Sequence, residues 1–369
     1  MGEAAWSVCH LSTVHPANDV RIYHRECKSI AEKTNFKVKL VAHGKLVDSS
    51  NLSCQDLGKL PRNRLVRIMR SQLLGFRTAF RVKASVWHLH DPELLIVAFW
   101  LIVTKKTVIW DAHEDYFLQF SKQVNYRKYI PSSLTGLINS SFIQLLRFVE
   151  KRCYGVICAT PSIALKYRNA NTVVVGNEVR IEEFSSCSPK FSSIKLLFTG
   201  APDETQCFRE VVDAVSKFPD LILTVAGRYA INSDWEYAKA VLGNQLTHLG
   251  WLSREELAKA INDSFLGFLT YENVETNSTN SPNKLFEFSA GGLPCISTPT
   301  NANKIWVNES NGAYLIDGFT SKDIEKGIHS ALNSEIVWEN KSRMSRSWSL
   351  EKGNWTASEK ILIDFYNNL

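Results

Sequence analysis

Residues 177–193 read NEVRIEEFSSCSPKFSS, a polar, serine-rich interruption in a chain that otherwise alternates regularly. Before it, short apolar runs at 6–11, 36–42, 86–89, 108–110, 155–158 and 173–175 are separated by stretches of helical length. After it the rhythm restarts, with runs at 194–199, 221–226, 247–249, 265–269 and 294–297. These runs are too uniformly apolar for a sheet with one wet face, so they predict strands of parallel sheets covered by helices on both sides. The expected fold is α/β, with an N-terminal domain over 1–176, a linker over 177–193 and a C-terminal domain over 194–348. In the last segment, 349–369, the apolar Ile361, Ile363, Phe365 and Tyr366 predict a helix placed to pack back on the first domain.

Working outward, 369 residues suit two domains at about 150 each, and 44% hydrophobic with 22% charged residues is globular composition. That excludes disordered and collagen-like classes. No repeat of solenoid period occurs. Eight cysteines form no CxxC pair, and no histidine has zinc-partner spacing, so a reducing compartment and no metal are expected. MGEAAW is neither an export signal nor, with Trp6 where Ser or Thr is needed, a myristoylation signal. The longest apolar run, 94–103, has ten residues against the roughly 20 of a membrane span. These features predict a cytoplasmic protein. Neither GxGxxG nor GxxxxGK[ST] is present, and Ser12 to Asp19 lacks a glycine, which disfavours nicotinamide dehydrogenases and P-loop NTPases.

The stretch TNSTNSPNKLFEFSAGGLP at 276–294 carries the most chemistry. Ser281 as N-cap and Pro282 at N1 predict a helix whose free N–H groups face the strand ends. Such an end carries about half a positive charge; Asn283 and Lys284 in its first turn make it a candidate diphosphate site. Glu287, three residues on, shares that side and suits a pair of ribose hydroxyls. The ordinary alternative is a capped helix with a solvated Lys284 paired to Glu287.

Four landmarks in order, His90-Asp91-Pro92-Glu93-Leu94, Asp111-Ala112-His113-Glu114, THLGWLSREEL at 247–257 and SPNKLFEFSAGGLP at 281–294, resemble glycosyltransferases of GT-B fold, family 4, of the bacterial polysaccharide and O-antigen type. The resemblance implies two facing Rossmann-like domains and a retaining hexosyltransferase using a UDP or GDP sugar, with no cofactor and no obligatory metal. It implies an acceptor that is a glycan or polyprenyl-linked glycan in surface polysaccharide synthesis. Glu287 matches the family's ribose-binding glutamate and His113 its active-site histidine. Ser281, Asn283, Lys284, Gly200 and Arg228 fall on the donor side; His15, Asp19, Arg21, His90 and Asp91 fall on the acceptor side. Asp19, Asp91 and Asp115 are also natural helix caps. Two departures weaken the match: Thr279 stands where the first of two paired acids is expected, and 200–207 (GAPDETQC) lacks the basic pair that grips the diphosphate. The rival readings are a GT-B nucleotide-sugar 2-epimerase and an inactive sugar-binding scaffold.

Charge is concentrated. Between 57 and 90 there is no acid, yet Lys59, Arg62, Arg64, Arg67, Arg70, Arg77, Arg81 and Lys83 contribute +8, more than the +6 of the whole chain. Apolar residues at helical spacing make 59–83 a basic amphipathic helix, a candidate for the anionic inner face of a membrane or an ordinary solvated helix. Lys122, Tyr126, Arg127, Lys128 and Tyr129 are candidates to extend that surface. No nucleic-acid motif accompanies the charge.

Overall fold

Each apolar run becomes a strand, and the strands form two separate parallel sheets. The computed structural model describes residues 6–59, 64–121, 132–202, 204–228, 232–274 and 281–369. The chain divides into unit 1, Met1–Gly176 with Thr356–Leu369, and unit 2, Asn177–Trp355.

Unit 1 holds β1 (Trp6–Pro16), β2 (Val38–His43), β3 (Leu52–Asp56), β4 (Ala84–Leu89), β5 (Thr107–Ala112), β6 (Gly155–Cys158) and β7 (Thr172–Val174), ordered β3-β2-β1-β4-β5-β6-β7. Unit 2 holds β8 (Lys195–Thr199), β9 (Ile222–Ala226), β10 (Leu246–Gly250), β11 (Leu266–Leu269), β12 (Cys295–Ser297) and β13 (Ala313–Leu315), ordered β10-β9-β8-β11-β12-β13. In both sheets the strand order reverses beside the first strand, between β1 and β4 and between β8 and β11. In doubly wound sheets such switch points open a crevice at the carboxyl ends of the strands, where ligands bind. The central strands of each sheet are covered on both faces, while β10, an edge strand, is exposed over Thr247, His248 and Leu249. Trp87 and Trp110 are fully buried in one core, Phe198, Phe265 and Phe268 in the other.

Two strands fall outside the apolar runs, and both are edges. β3 buries only Leu52 and lacks the two-faced apolar signature, while β13 is apolar but only three residues long and ends in the exposed Leu315. Residues 177–193, read as a linker, place Val179, Phe184 and Cys187 in the core of unit 2. Their apolar side chains are isolated among polar neighbours, and only the tertiary fold gathers them. The terminal helix Trp355–Asn367 brings Leu362, Phe365 and Tyr366 into the interior of unit 1. Among the described residues no helix is long and apolar enough to cross a membrane.

Candidate functional site

In unit 1 the parallel register sets His10 beside His88, and Leu89 beside Trp110, so the next residues, His90 and Asp111, meet at the switch point. Asp111 is fully buried. Its Oδ2 accepts from His90 Nδ1 at 3.0 Å and His113 Nε2 at 2.9 Å, and its Oδ1 accepts from Arg21 Nη2 at 3.0 Å. Arg21 also donates to the carbonyls of Val175 and Gly176, and its Nε lies 3.1 Å from Glu26 Oε1. Burial alone would raise the Asp111 pKa; the Arg21 guanidinium and His113 outweigh it and hold the carboxyl well below the usual range. Asp111 is therefore an acceptor only, and His113 must present its Nε2–H inward, leaving Nδ1 outward.

Behind Asp111 the bonds continue from His90 Nε2 to His10 Nδ1 at 2.9 Å, and from His88 Nδ1 to the Tyr366 hydroxyl at 2.7 Å. Burial pushes the pKa values of His10, His88 and His90 down, so these imidazoles are neutral. Burial, then the charge of Asp111, pushes Glu26 well up. His10, Glu26, His88 and His90 are close enough to hold a metal ion, as are His90, Asp111 and His113. The geometry favours a proton-bonded network instead. His10 and His90 already share a hydrogen bond, the His88 and His90 rings stack at 23° with 4.4 Å between centroids, and the Arg21 cation adjoins both acids. Stacked rings direct their in-plane lone pairs apart, and a guanidinium repels a dication.

The acceptor-side candidates divide. His15 is half-buried at the rim, its ring centroid 5.3 Å from that of His113. Burial lowers the His15 pKa, but the bond to Asp19 and the charges of Asp19 and Asp91 raise it to about 9. Asp19 caps the following helix, accepting from the N–H groups of Arg21 and Ile22 at 2.9 Å each. Arg21, expected at the acceptor, is buried and turned inward to clamp Asp111. Asp91 begins the turn Pro92–Leu94 but its side chain makes no cap; it accepts from the Ser12 hydroxyl and from the Thr13 N–H and hydroxyl. Those groups belong to the last part of β1, so Asp91 is spent on the neighbouring strand rather than on its own turn. His90, too, lies inside the network rather than at its surface. Asp115 does cap, accepting from Leu118 N.

In unit 2 the helix is Asn283–Gly291, with Pro282 as N-cap and no side-chain cap bond. The expected cap at Ser281 and first residue at Pro282 are each corrected by one residue; Ser281 is engaged through its carbonyl, which accepts from Asn177 Nδ2 at 3.0 Å. Asn283 is exposed, so the helix end reaches solvent. Lys284 is not solvated and does not pair with Glu287. It is buried, with Nζ 2.7 Å from Gln206 Oε1 and 4.8 and 4.6 Å from the ring centroids of Phe198 and Tyr271. Glu287 Oε1 instead accepts from Arg254 Nη1 at 2.5 Å, and Arg254 also bonds Glu183 at 2.7 Å. Glu287 Oε2 carries no hydrogen bond among the described residues. Gly200 and Gly227 bring the ends of β8 and β9 together: a Cβ on Gly227 would stand 1.8 Å from the Gly200 carbonyl oxygen. Arg228 is exposed, its guanidinium 5.8 Å from the Trp251 ring centroid. Thr279 and the cluster from Lys122 to Tyr129 lie outside the described residues.

The sequence reading missed Arg254, Gln206, His10, His88 and Tyr366. A histidine at each of positions 10 and 88 within an apolar strand was a visible oddity; Arg254 and Gln206 have no local signal, since their partners lie 33 and 78 residues away.

Comparison with known proteins gives the fold a name. No protein-family model matches the sequence, and no curated protein does. Among solved structures, sucrose-phosphate synthase from Thermosynechococcus elongatus superposes with a TM-score of 0.76, covering 98% of both chains at 14% identity. WaaG, a glycosyltransferase involved in lipopolysaccharide biosynthesis, gives 0.73 over 97% of this chain and 99% of its own at 10% identity. HepE from Anabaena, in complex with UDP-glucose, gives 0.71 over 99% and 100% at 10% identity. The chain has the two-sheet α/β architecture of these GT-B glycosyltransferases.

Proposed function

We propose that the protein is a retaining glycosyltransferase, moving a hexose from a nucleoside diphosphate sugar held by unit 2 to an acceptor held by unit 1. The acceptor we assign is a lipid-linked glycan. The observation that carries the reading is the helix Asn283–Gly291: an accessible N-terminus at the switch point of unit 2, a buried ammonium beneath it, and a carboxylate one turn on with an oxygen left over. The diphosphate accepts from N–H groups of the exposed helix end, while Lys284 supplies positive potential at short range. Glu287 is aimed by its bond to Arg254, and its Oε2 receives the ribose hydroxyls.

In unit 1, His113 is the residue for the sugar. Fixed by the Asp111 and Arg21 clamp, it bonds a sugar hydroxyl through Nδ1 and stabilises charge as the bond to phosphate breaks. His15, cationic at neutral pH, offers a donor beside it. The donor is a UDP or GDP sugar, since UDP-glucose is what HepE carries on the same fold. No transferred group passes through a metal in this scheme; the helix end and Lys284 neutralise the leaving diphosphate.

The test is a thermal-shift screen of nucleoside diphosphates and their sugars, followed by product analysis with a polyprenyl-diphosphate-linked glycan. Stabilisation by one nucleotide class and a glycosylated lipid are expected. An epimerised donor formed without acceptor would replace transfer with epimerisation, and binding without turnover would leave only a sugar-binding protein.

A further inference from the structure

The described part of the basic segment forms the helix Arg64–Arg81, and its outer face is not polar. Met69, Leu73 and Phe80 are 75, 69 and 71% exposed, and their spacing of four and then seven residues aligns them in one stripe. The helix Leu95–Val103 packs against it and repeats the arrangement, with Ile96, Phe99 and Val103 at 51, 38 and 57%. Trp100 joins the two ridges, its ring centroid 4.9 Å from that of Phe80. Exposed Arg77 and Arg81 end one helix with exposed Lys83 just beyond it, and exposed Lys105 and Lys106 follow the other. Apolar side chains this large, aligned on adjacent helices, are not the scattered exposure of an ordinary surface.

We propose that this double ridge is a membrane-docking surface that inserts apolar side chains into the interface of an anionic bilayer, with the flanking Arg and Lys on lipid phosphates. It deepens the reading above by giving the place where a lipid-linked acceptor is met, and rests on that reading for this link alone. Charge decides the occupant. A second copy joined through a two-fold axis would set the acid-free +8 segment against itself, whereas an anionic leaflet attracts each basic residue by about 1 kcal/mol. Neither helix spans a bilayer, so the surface lies on it.

The experiment is co-sedimentation of the full chain with vesicles of phosphatidylcholine, alone or mixed with phosphatidylglycerol, at low and high salt and without sugar donor. Two variants separate the contributions, each built at exposed positions: Arg77→Gln with Arg81→Gln and Lys83→Gln, and Met69→Gln with Leu73→Gln and Ile96→Gln. The wild type should partition onto the mixed vesicles only. The charge variant should lose on the order of a hundredfold, and the apolar variant about tenfold or more even at low salt. Unchanged circular dichroism and nucleotide-induced stabilisation in both variants exclude misfolding and keep the donor reading separate. Equal binding by the apolar variant, no binding by the wild type, or a wild-type dimer that this variant dissociates would each overturn the proposal.

Discussion

Asp111 gathers two imidazoles and a guanidinium on one buried carboxylate, and the network around it makes stability depend on pH in both directions. His10, His88 and His90 are folded with pKa values below the ordinary 6.5, because burial disfavours their cations. Below about pH 6.5 the unfolded chain therefore binds more protons than the folded one, and stability falls as pH falls, by about 1.4 kcal/mol per pH unit for each histidine. Glu26 works in the opposite sense, because burial holds its carboxyl protonated in the fold and that contribution is lost as pH rises, and so does His15. The His15 value is raised from 6.5 to about 9, so its contribution is complete below 6.5 and is lost as pH rises to about 9. Urea unfolding from about pH 5 to pH 9 should give maximal stability near neutrality. His88→Gln should remove about one proton from the acid-side slope and leave the alkaline side unchanged. A wild-type profile that is flat on the acid side would contradict the neutral state of the buried imidazoles.

At the scale of elements, the loops after β8 and β9 depend on two glycines in close contact. Gly227 has φ +156°, and a methyl group there would overlap the Gly200 carbonyl, a backbone atom that cannot rotate away. Gly227→Ala should cost about 2 kcal/mol or more and should displace the loop that carries Gln206, weakening nucleotide binding further. Denaturant midpoints and calorimetric titration measure the two effects; an unaltered midpoint would show that the loop yields freely. The central strands of both sheets were legible because burial on two faces leaves continuous apolar runs. Edge strand β3 was not, since Leu52 is buried alone among polar neighbours, and edge strand β13, Ala313–Leu315, was passed over because it is only three residues long. The helix at 283 was legible from its proline and its exit through Gly291 and Gly292, but its first residue was not. Pro282 is equally acceptable as cap or first turn, and the Ser281 carbonyl is engaged by Asn177. The inward placement of Lys284 and Arg21 was not legible for one reason. A basic residue near a binding edge looks available in sequence, while the groups that claim it, Gln206 for one and Asp111 for the other, are distant in the chain.

For the whole molecule, two units with separate sheets and separate apolar cores predict two calorimetric transitions rather than one, since cooperativity belongs to each core. The transition that Gly227→Ala lowers belongs to unit 2. If the donor nucleotide binds there, a nucleoside diphosphate at about a hundred times its dissociation constant adds about 2.7 kcal/mol to that unit. Its transition should rise while that of unit 1 stays in place. Glu287→Ala should reduce the rise by weakening nucleotide binding, because the ribose loses its acceptor, whereas His113→Ala, in unit 1, should leave it intact. If His113 has the proposed role on the transferred sugar, the difference between diphosphate and diphosphate sugar should vanish in that variant. A nucleotide that raised only the transition insensitive to Gly227→Ala would place its site at the histidine network and reverse the assignment of donor and acceptor.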